Sequence, residues 1–216
     1  LALSTRPDIA VAVNEASRHC NAPTNRDWQA VKRIFRYLAG TASTGIVYAK
    51  TEEEVPQMIA YADANWGGDL KTRRSRTGYV IFLAGGPVSW KTKLQTTVAL
   101  SSTEAEYLAA SDGVKEILWM RSLLQEIGTP QSTTILFEDN QGCIALTQNE
   151  GQQHDRTKHI AIRHHFLREH IRKEEVSIQW ISTEEMVADI LTKPLQPQAF
   201  LKLKSKMVEV INEGAC

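Results

Sequence analysis

The longest run of uniform pattern in the chain extends from Ser101 to Gly128 and reads as one helix. Ser101, with Glu104 three residues on, forms a capping-box signature. Tyr107, Ala110, Val114, Ile117 and Leu124 recur down one side at helical spacing, and Gly128 and Pro130 close the segment. Before it lie three strand-like stretches, 58–66, 77–84 and 87–93, the last two flanking Gly85-Gly86, a hairpin signal. After it come a strand at 134–139, helices at 141–148 and about 158–173, a strand at 176–181, and a last helix at about 184–193 that Pro194 ends. A meander followed by helix-crossover strands predicts an α/β chain. Its five-stranded mixed sheet has three antiparallel strands, then two crossover strands, and is flanked by helices.

A small helical segment precedes this pattern. Pro7 and Asp8 open a helix over 7–21, in which Ile9, Val11, Ala12 and Val13 are apolar. A second, over 26–39, carries Trp28, Val31, Ile34, Phe35 and Leu38 on one stripe with basic residues opposite, and Gly40 stops it. Val47 and Tyr48 suggest a short strand, and Thr51-Glu-Glu-Glu-Val-Pro56 reads as a solvated linker. The expected division is a helical part at 1–50, a main domain at 51–195 and a helical tail at 196–216.

Of the 216 residues, 42% are apolar and 23% charged, which predicts a soluble globular chain. No apolar run reaches the roughly 18 residues that span a bilayer, no signal-peptide pattern is present, and no membrane partner is expected. The chain opens on Leu1 and enters a helical pattern almost at once, so it is expected to be a piece of a longer protein. Cys20, Cys143 and Cys216, odd in number and widely spaced, make neither a disulfide framework nor a zinc pattern. The 25 basic and 25 acidic residues cancel, but Arg26, Lys32, Arg33 and Arg36, the loop 71–76 and the stretch 156–173 are locally basic. Phosphate contact requires such faces, and ordinary solvated faces look the same.

Four acids sit among apolar or small residues: Asp63, Glu106, Asp139 and Asp189. Each alone has a bland reading. Asp139 would cap the following helix, Glu106 would face a helix dipole, and Asp189 would lie on the surface. The string from Asp63 to Asp69 resembles the start of a calcium loop. Its twelfth position is Arg74 where a bidentate Glu is needed, so that reading fails.

Together the acids carry more. Tyr61-Ala-Asp-Ala-Asn-Trp66, Ser75-Arg-Thr-Gly-Tyr79, Val88-Ser-Trp-Lys91, Ala99-Leu-Ser-Ser-Thr-Glu-Ala-Glu-Tyr107, Glu138-Asp-Asn-Gln141, Arg156-Thr-Lys-His-Ile160 and Ala188-Asp-Ile-Leu-Thr-Lys-Pro194 resemble the ribonuclease H domain of Ty1/copia-type retrotransposon Pol polyproteins. The match covers about 57–195. Residues 1–48, with Thr5-Arg-Pro-Asp-Ile9 and Ala30-Val-Lys-Arg-Ile-Phe-Arg-Tyr-Leu38, look like the tail of the same polyprotein's reverse transcriptase. No Asp-Asp pair of a polymerase palm is present, so no polymerase activity is expected.

The resemblance implies a ribonuclease H-like fold and hydrolysis of the RNA strand of RNA–DNA hybrids during reverse transcription. It makes Asp63, Glu106, Asp139 and Asp189 the metal ligands and catalytic acids. Two Mg²⁺ ions, or Mn²⁺ in their place, suit a site of hard oxygen ligands, and a His/Cys cluster that would favour zinc is absent. Carried over by position, Ser101, Ser102, Asn140 and Gln141 contact the substrate backbone and minor groove, where the ribose 2′-OH marks RNA. The serines also suit a helix cap. Lys158, His159 and Arg163 form a basic helical face toward the DNA phosphates, or a solvated one. The implied partners are RNA–DNA hybrid and the reverse transcriptase portion. The implied location is the cytoplasmic virus-like particle of the element, with the nucleus second.

One departure stands out. Many ribonucleases H carry a histidine before the fourth acid; here Ser182-Thr-Glu-Glu-Met186 has none, leaving Glu184 or Glu185 as substitutes. Two other classes compete. One is a non-catalytic, decayed or co-opted binding or scaffold domain, against which the intact quartet argues. The other is a DNA-cutting integrase or transposase of the same fold, which uses three acids, typically with a Glu on the last helix.

Overall fold

The computed structural model describes residues 1–49, 55–148 and 158–211; most of the expected linker lies outside them, as do Arg156 and Thr157. A 3-10 turn, Pro7–Ile9, leads into α1 (Ala10–Ser17), α2 (Asn25–Ala39) and a two-residue strand β1 (Thr44–Gly45). Thr24 and Asp27 cap α2 reciprocally, a capping box unread in the sequence. The expected strand at Val47 and Tyr48 is displaced to β1, whose partner lies far away in sequence.

The main sheet follows the expected order. β2 (Ile59–Asn65), β3 (Arg76–Leu83) and β4 (Gly86–Leu94) form the antiparallel meander, and β5 (Thr134–Glu138) and β6 (Val176–Trp180) join in parallel. The spatial order is β4-β3-β2-β5-β6. The β3–β4 turn centres on Ala84 and Gly85, both left-handed, as the twist of a tight hairpin demands. It sits one residue earlier than Gly85-Gly86 suggested. α3 (Ser102–Glu126) joins β4 to β5; α4 (Gln141–Gln148) and α5 (Lys158–Arg172) join β5 to β6.

Both faces of the sheet are covered. On one, Ala60, Ala62, Tyr79, Ile81 and Leu136 meet Tyr107, Val114 and Ile117 of α3 and Leu167 of α5. On the other, Val80 and Phe82 meet Ala10, Val187, Ile190, Leu191, Met207 and Val208. β3 is therefore buried along nearly its whole length. Each large apolar side chain so enclosed contributes about 1.5–3 kcal/mol.

The expected last helix at 184–193 is instead two short 3-10 segments, Thr183–Glu185 and Val187–Leu191, split at Met186. Splitting the run lets Val187, Ile190 and Leu191 all reach β3 while Asp189 turns toward β2. The tail is helical only in part. α6 (Pro197–Lys204) is followed by β7 (Glu209–Val210), which pairs antiparallel with β1. Lys202 and Lys206 bind Glu185 from the tail side. Charged contacts tie the N-terminal helices to the β2–β3 loop: Arg18 to Asp69 and Arg76 to Glu15. Among the described residues no helix is long and apolar enough to cross a membrane.

Candidate metal centre

Three acids meet where three elements end. Asp63 points off β2 beside Ala64 and Asn65, Glu106 comes from the second turn of α3, and Asp139 follows the last residue of β5. One carboxylate oxygen from each lies within 4.8 Å of the others. Asp189 is outside that three-acid group but lies close enough to Asp63 for their charges to interact. Sheet pairing explains how it gets there. Asp63 lies opposite Gly78 on β3, and a Cβ on Gly78 would stand 2.6 Å from Thr192 Cγ2 and 2.9 Å from Leu191 Cβ. The missing side chain is what lets the 187–192 turn close over β2.

Neighbouring hydroxyls fix the carboxylates. Thr192 Oγ1 donates to Asp63 Oδ2, and Thr183 Oγ1 donates to Asp139 Oδ2 at 2.7 Å. The backbone of Ala64 favours the charged form of Glu106. The single-residue readings of these acids do not hold. Asn140, not Asp139, caps α4, its Oδ1 accepting from Cys143 N at 2.9 Å. Asp189 and Glu106 are only 4% and 6% exposed.

So much negative charge in one buried place is unstable by itself. Burial, then Asp63, Glu138 and Asp139, pushes Glu106 up to about 11. Burial and Asp63 push Asp189 up to about 7. Asp63 is also raised, burial being the main cause. Two groups unread in the sequence take part. Lys193 Nζ lies 2.7 Å from Asp189 Oδ1. Burial works against its charge, but Asp63, Asp189 and Asp139 outweigh that and raise its pKa. Glu138 is fully buried beside the cluster, with Oε1 accepting from Asn140 N at 3.1 Å. The alternation of β5, which turns Thr134, Leu136 and Glu138 inward, is the signal that would have found it.

The donor set fits a hard divalent cation. It is all carboxylate, and Glu106 Oε2 is buried with no hydrogen-bond partner among the described residues. An oxygen in that position costs about 1–3 kcal/mol unless something binds it. A cation is the natural occupant.

The other expected site residues divide. Ser101 caps α3, its Oγ accepting from Glu104 N at 3.1 Å, and Ser102 is exposed one residue on. Glu104 reaches back to Leu100 N, so the capping box is offset by one residue. Asn140 and the exposed Gln141 begin α4, and Thr103 Oγ1 lies 3.5 Å from Asn140 Oδ1. The N-termini of α3 and α4 thus adjoin beside the acids, where their N–H groups favour an anion. Arg163 turns inward, donating to Asp112 Oδ1 at 2.9 Å and to Leu108 O at 3.4 Å. That pairing argues against the free basic face expected there. The side chains of Lys158 and His159 lie outside the described set. Glu185, held by Lys202 and Lys206, is pulled down to about 2 and is no proton donor.

No family model matches the chain. It is similar to the retrovirus-related Pol polyprotein from transposon TNT 1-94 of Nicotiana tabacum, 43% identical over 91% of the chain and 14% of that protein. The chain spans about a seventh of the length of the polyproteins it matches. A foamy viral protease-reverse transcriptase solved with RNA/DNA hybrid superposes with a TM-score of 0.54 at 9% identity, over 90% of this chain and 24% of that one. LC11-RNase H1, isolated from compost by a metagenomic approach, aligns over 68% of this chain and 96% of its own, with a TM-score of 0.46 and 17% identity.

Proposed function

The chain is homologous to retrovirus-related Pol polyproteins of plant transposons, at 40–43% identity over 91–94% of its length, and from that premise we propose that its 51–195 domain is a metal-dependent endonuclease. It cuts the RNA strand of RNA–DNA hybrids during reverse transcription. One observation carries the reading: carboxylate oxygens of Asp63, Glu106 and Asp139, from three elements, converge within 4.8 Å.

Asp63, Glu106, Asp139 and Asp189 would hold two Mg²⁺ ions, with Mn²⁺ as a substitute. When bound, such ions activate water and stabilise charge on the leaving 3′ oxygen. The chain's own groups do the rest. Thr192 and Thr183 hold the Asp63 and Asp139 carboxylates in place. The adjoining N-termini of α3 and α4 receive the scissile-strand phosphates. Ser102, Asn140 and Gln141 reach 2′-OH and groove atoms, which separates RNA from DNA. Cleavage leaves 3′-hydroxyl and 5′-phosphate ends. That the relatives are Pol polyproteins supports the reverse transcriptase portion of the same polyprotein as partner; the setting we propose is the virus-like particle of the element.

Asp139→Asn tests the assignment. It should abolish cleavage of a labelled hybrid in Mg²⁺ while hybrid binding stays within a few fold. A variant that cuts at the wild-type rate would remove Asp139 from the site.

A further inference from the structure

The basic residues near the N-terminus differ in whether an acid already holds them. Arg6, Arg18 and Arg76 are structural, bound to Asp8, to Glu15 and Asp69, and to Glu15 respectively. Arg26 and Arg33 of α2, and Lys71, Arg73 and Arg74 of the β2–β3 loop, are exposed and have no acidic partner among the described residues. We propose that these five form a second phosphate-binding surface, gripping the hybrid duplex away from the scissile bond. This rests on the hybrid-cleaving reading.

Three observations support it. First, three of the five are brought together by the fold. Arg26, Arg33 and Lys71 line one groove of about 910 Å³ between α1, α2 and the loop. Arg26 and Arg33, seven residues apart, share one face of α2. Second, the groove's acids are already engaged. Asp8 serves Arg6 and Tyr37, and Glu15 serves Arg18 and Arg76. Asp27 caps α2 through Thr24 and lies close enough to feel Lys71. Of the groove's own residues, three cations against that one further acid leave an excess of two positive charges, to which Arg73 and Arg74 add from the loop. A surface of that sign suits a polyanion.

Third, the loop is rigid and continuous with the metal centre. Asp69 accepts from Lys71 N at 2.9 Å and from Thr72 Oγ1 at 3.0 Å, and binds Arg18. Its backbone exchanges hydrogen bonds with Arg73 and Arg74. Lys71, Arg73 and Arg74 are therefore presented outward on a preformed turn, which lowers the ordering cost of binding. The loop begins at Trp66, whose Nε1 donates to Ala99 O at 3.0 Å, beside Ser101 and Ser102. The duplex held at the serines continues past Trp66 onto the basic loop and then α2.

The test is the full chain carrying Arg26→Glu, Arg33→Glu and Lys71→Glu together, with melting compared to wild type. These side chains are exposed and unpaired among the described residues, so the fold should hold. Binding of a long and a short hybrid is followed by anisotropy against salt, and cleavage is measured alongside. The expected result is weaker binding and higher KM for the long hybrid only, with kcat unchanged. Loss of three phosphate contacts should lower the salt slope by about 2.7. An unchanged slope and KM for the long hybrid, with cleavage intact, overturns the surface and leaves the nuclease reading standing. A changed slope in a protein that cuts no hybrid keeps the surface and removes the nuclease reading.

Discussion

Gly78→Ala should damage the protein out of proportion to one methyl group. A Cβ there would lie 2.6 Å from Thr192 Cγ2, 2.9 Å from Leu191 Cβ and 3.1 Å from Ala188 O. Carbon atoms pack best at about 3.5–4.0 Å, so the 188–192 turn must retreat by about 1 Å. Overpacking of this kind costs about 1–3 kcal/mol. The retreat also takes Asp189 and the Thr192 hydroxyl away from Asp63, and a misplacement near 1 Å costs about 100-fold in rate. Gly113→Ala, in α3, is the control. Its Cβ would meet Ala62 Cβ at 3.7 Å, Tyr79 Cβ at 3.7 Å and Leu136 Cδ1 at 3.8 Å, all ordinary contacts. Removing a mid-helix glycine should stabilise the chain by about 0.5–1 kcal/mol. Urea unfolding of both variants, with hybrid cleavage under Mg²⁺, reads the two effects. A Gly78→Ala protein as stable and active as wild type would refute the close packing of the turn on β3.

Two more predictions concern the acids themselves. Lys193→Met removes the ammonium beside Asp189; with its side chain 34% exposed, the metal-free protein should lose about 1–2 kcal/mol. Mg²⁺ should raise the melting temperature of that variant more than that of wild type, which calorimetry checks; equal rises would put Lys193 outside the cluster's charge balance. The pKa values of Asp189 and Glu106 are raised above those of the unfolded chain, so the metal-free fold binds more protons and should lose stability from about pH 4 upward, through about pH 7 for Asp189. Melting from pH 4 to 8 should show that fall, Asp189→Asn should reduce it, and Mg²⁺ should flatten it. A stability that rises steadily over this range in the metal-free protein would contradict the buried cluster.

Regular periodicity made most of the sheet and α3 readable. The inward positions of α3 recur at 3.6 spacing from Tyr107 to Leu124, and the meander is bounded by glycines that only turns require. The acids were readable as a set because each sits in a distinctive string, Tyr61–Trp66, Ala99–Tyr107, Glu138–Gln141 and Ala188–Pro194, and the order of the elements brings those strings together. What escaped depends on contacts across the sequence. The 183–191 segment has helical composition, yet its two short turns are imposed by β3 and by the gap that Gly78 leaves. β1 and β7 are two residues each and exist only through their mutual pairing. Lys193 follows Asp189 by four residues, but its place among Asp63, Asp139 and Asp189 comes from that same turn. Arg163 looked free in sequence because Asp112, its partner, lies on another helix.

The most direct test of the central claim offers RNA–DNA hybrid, duplex DNA and duplex RNA side by side to the wild-type chain, with and without Mg²⁺. Cutting should be confined to the RNA strand of the hybrid, depend on Mg²⁺ and leave 3′-hydroxyl ends. Binding of hybrid without any cleavage, or cleavage of duplex DNA instead, would contradict it.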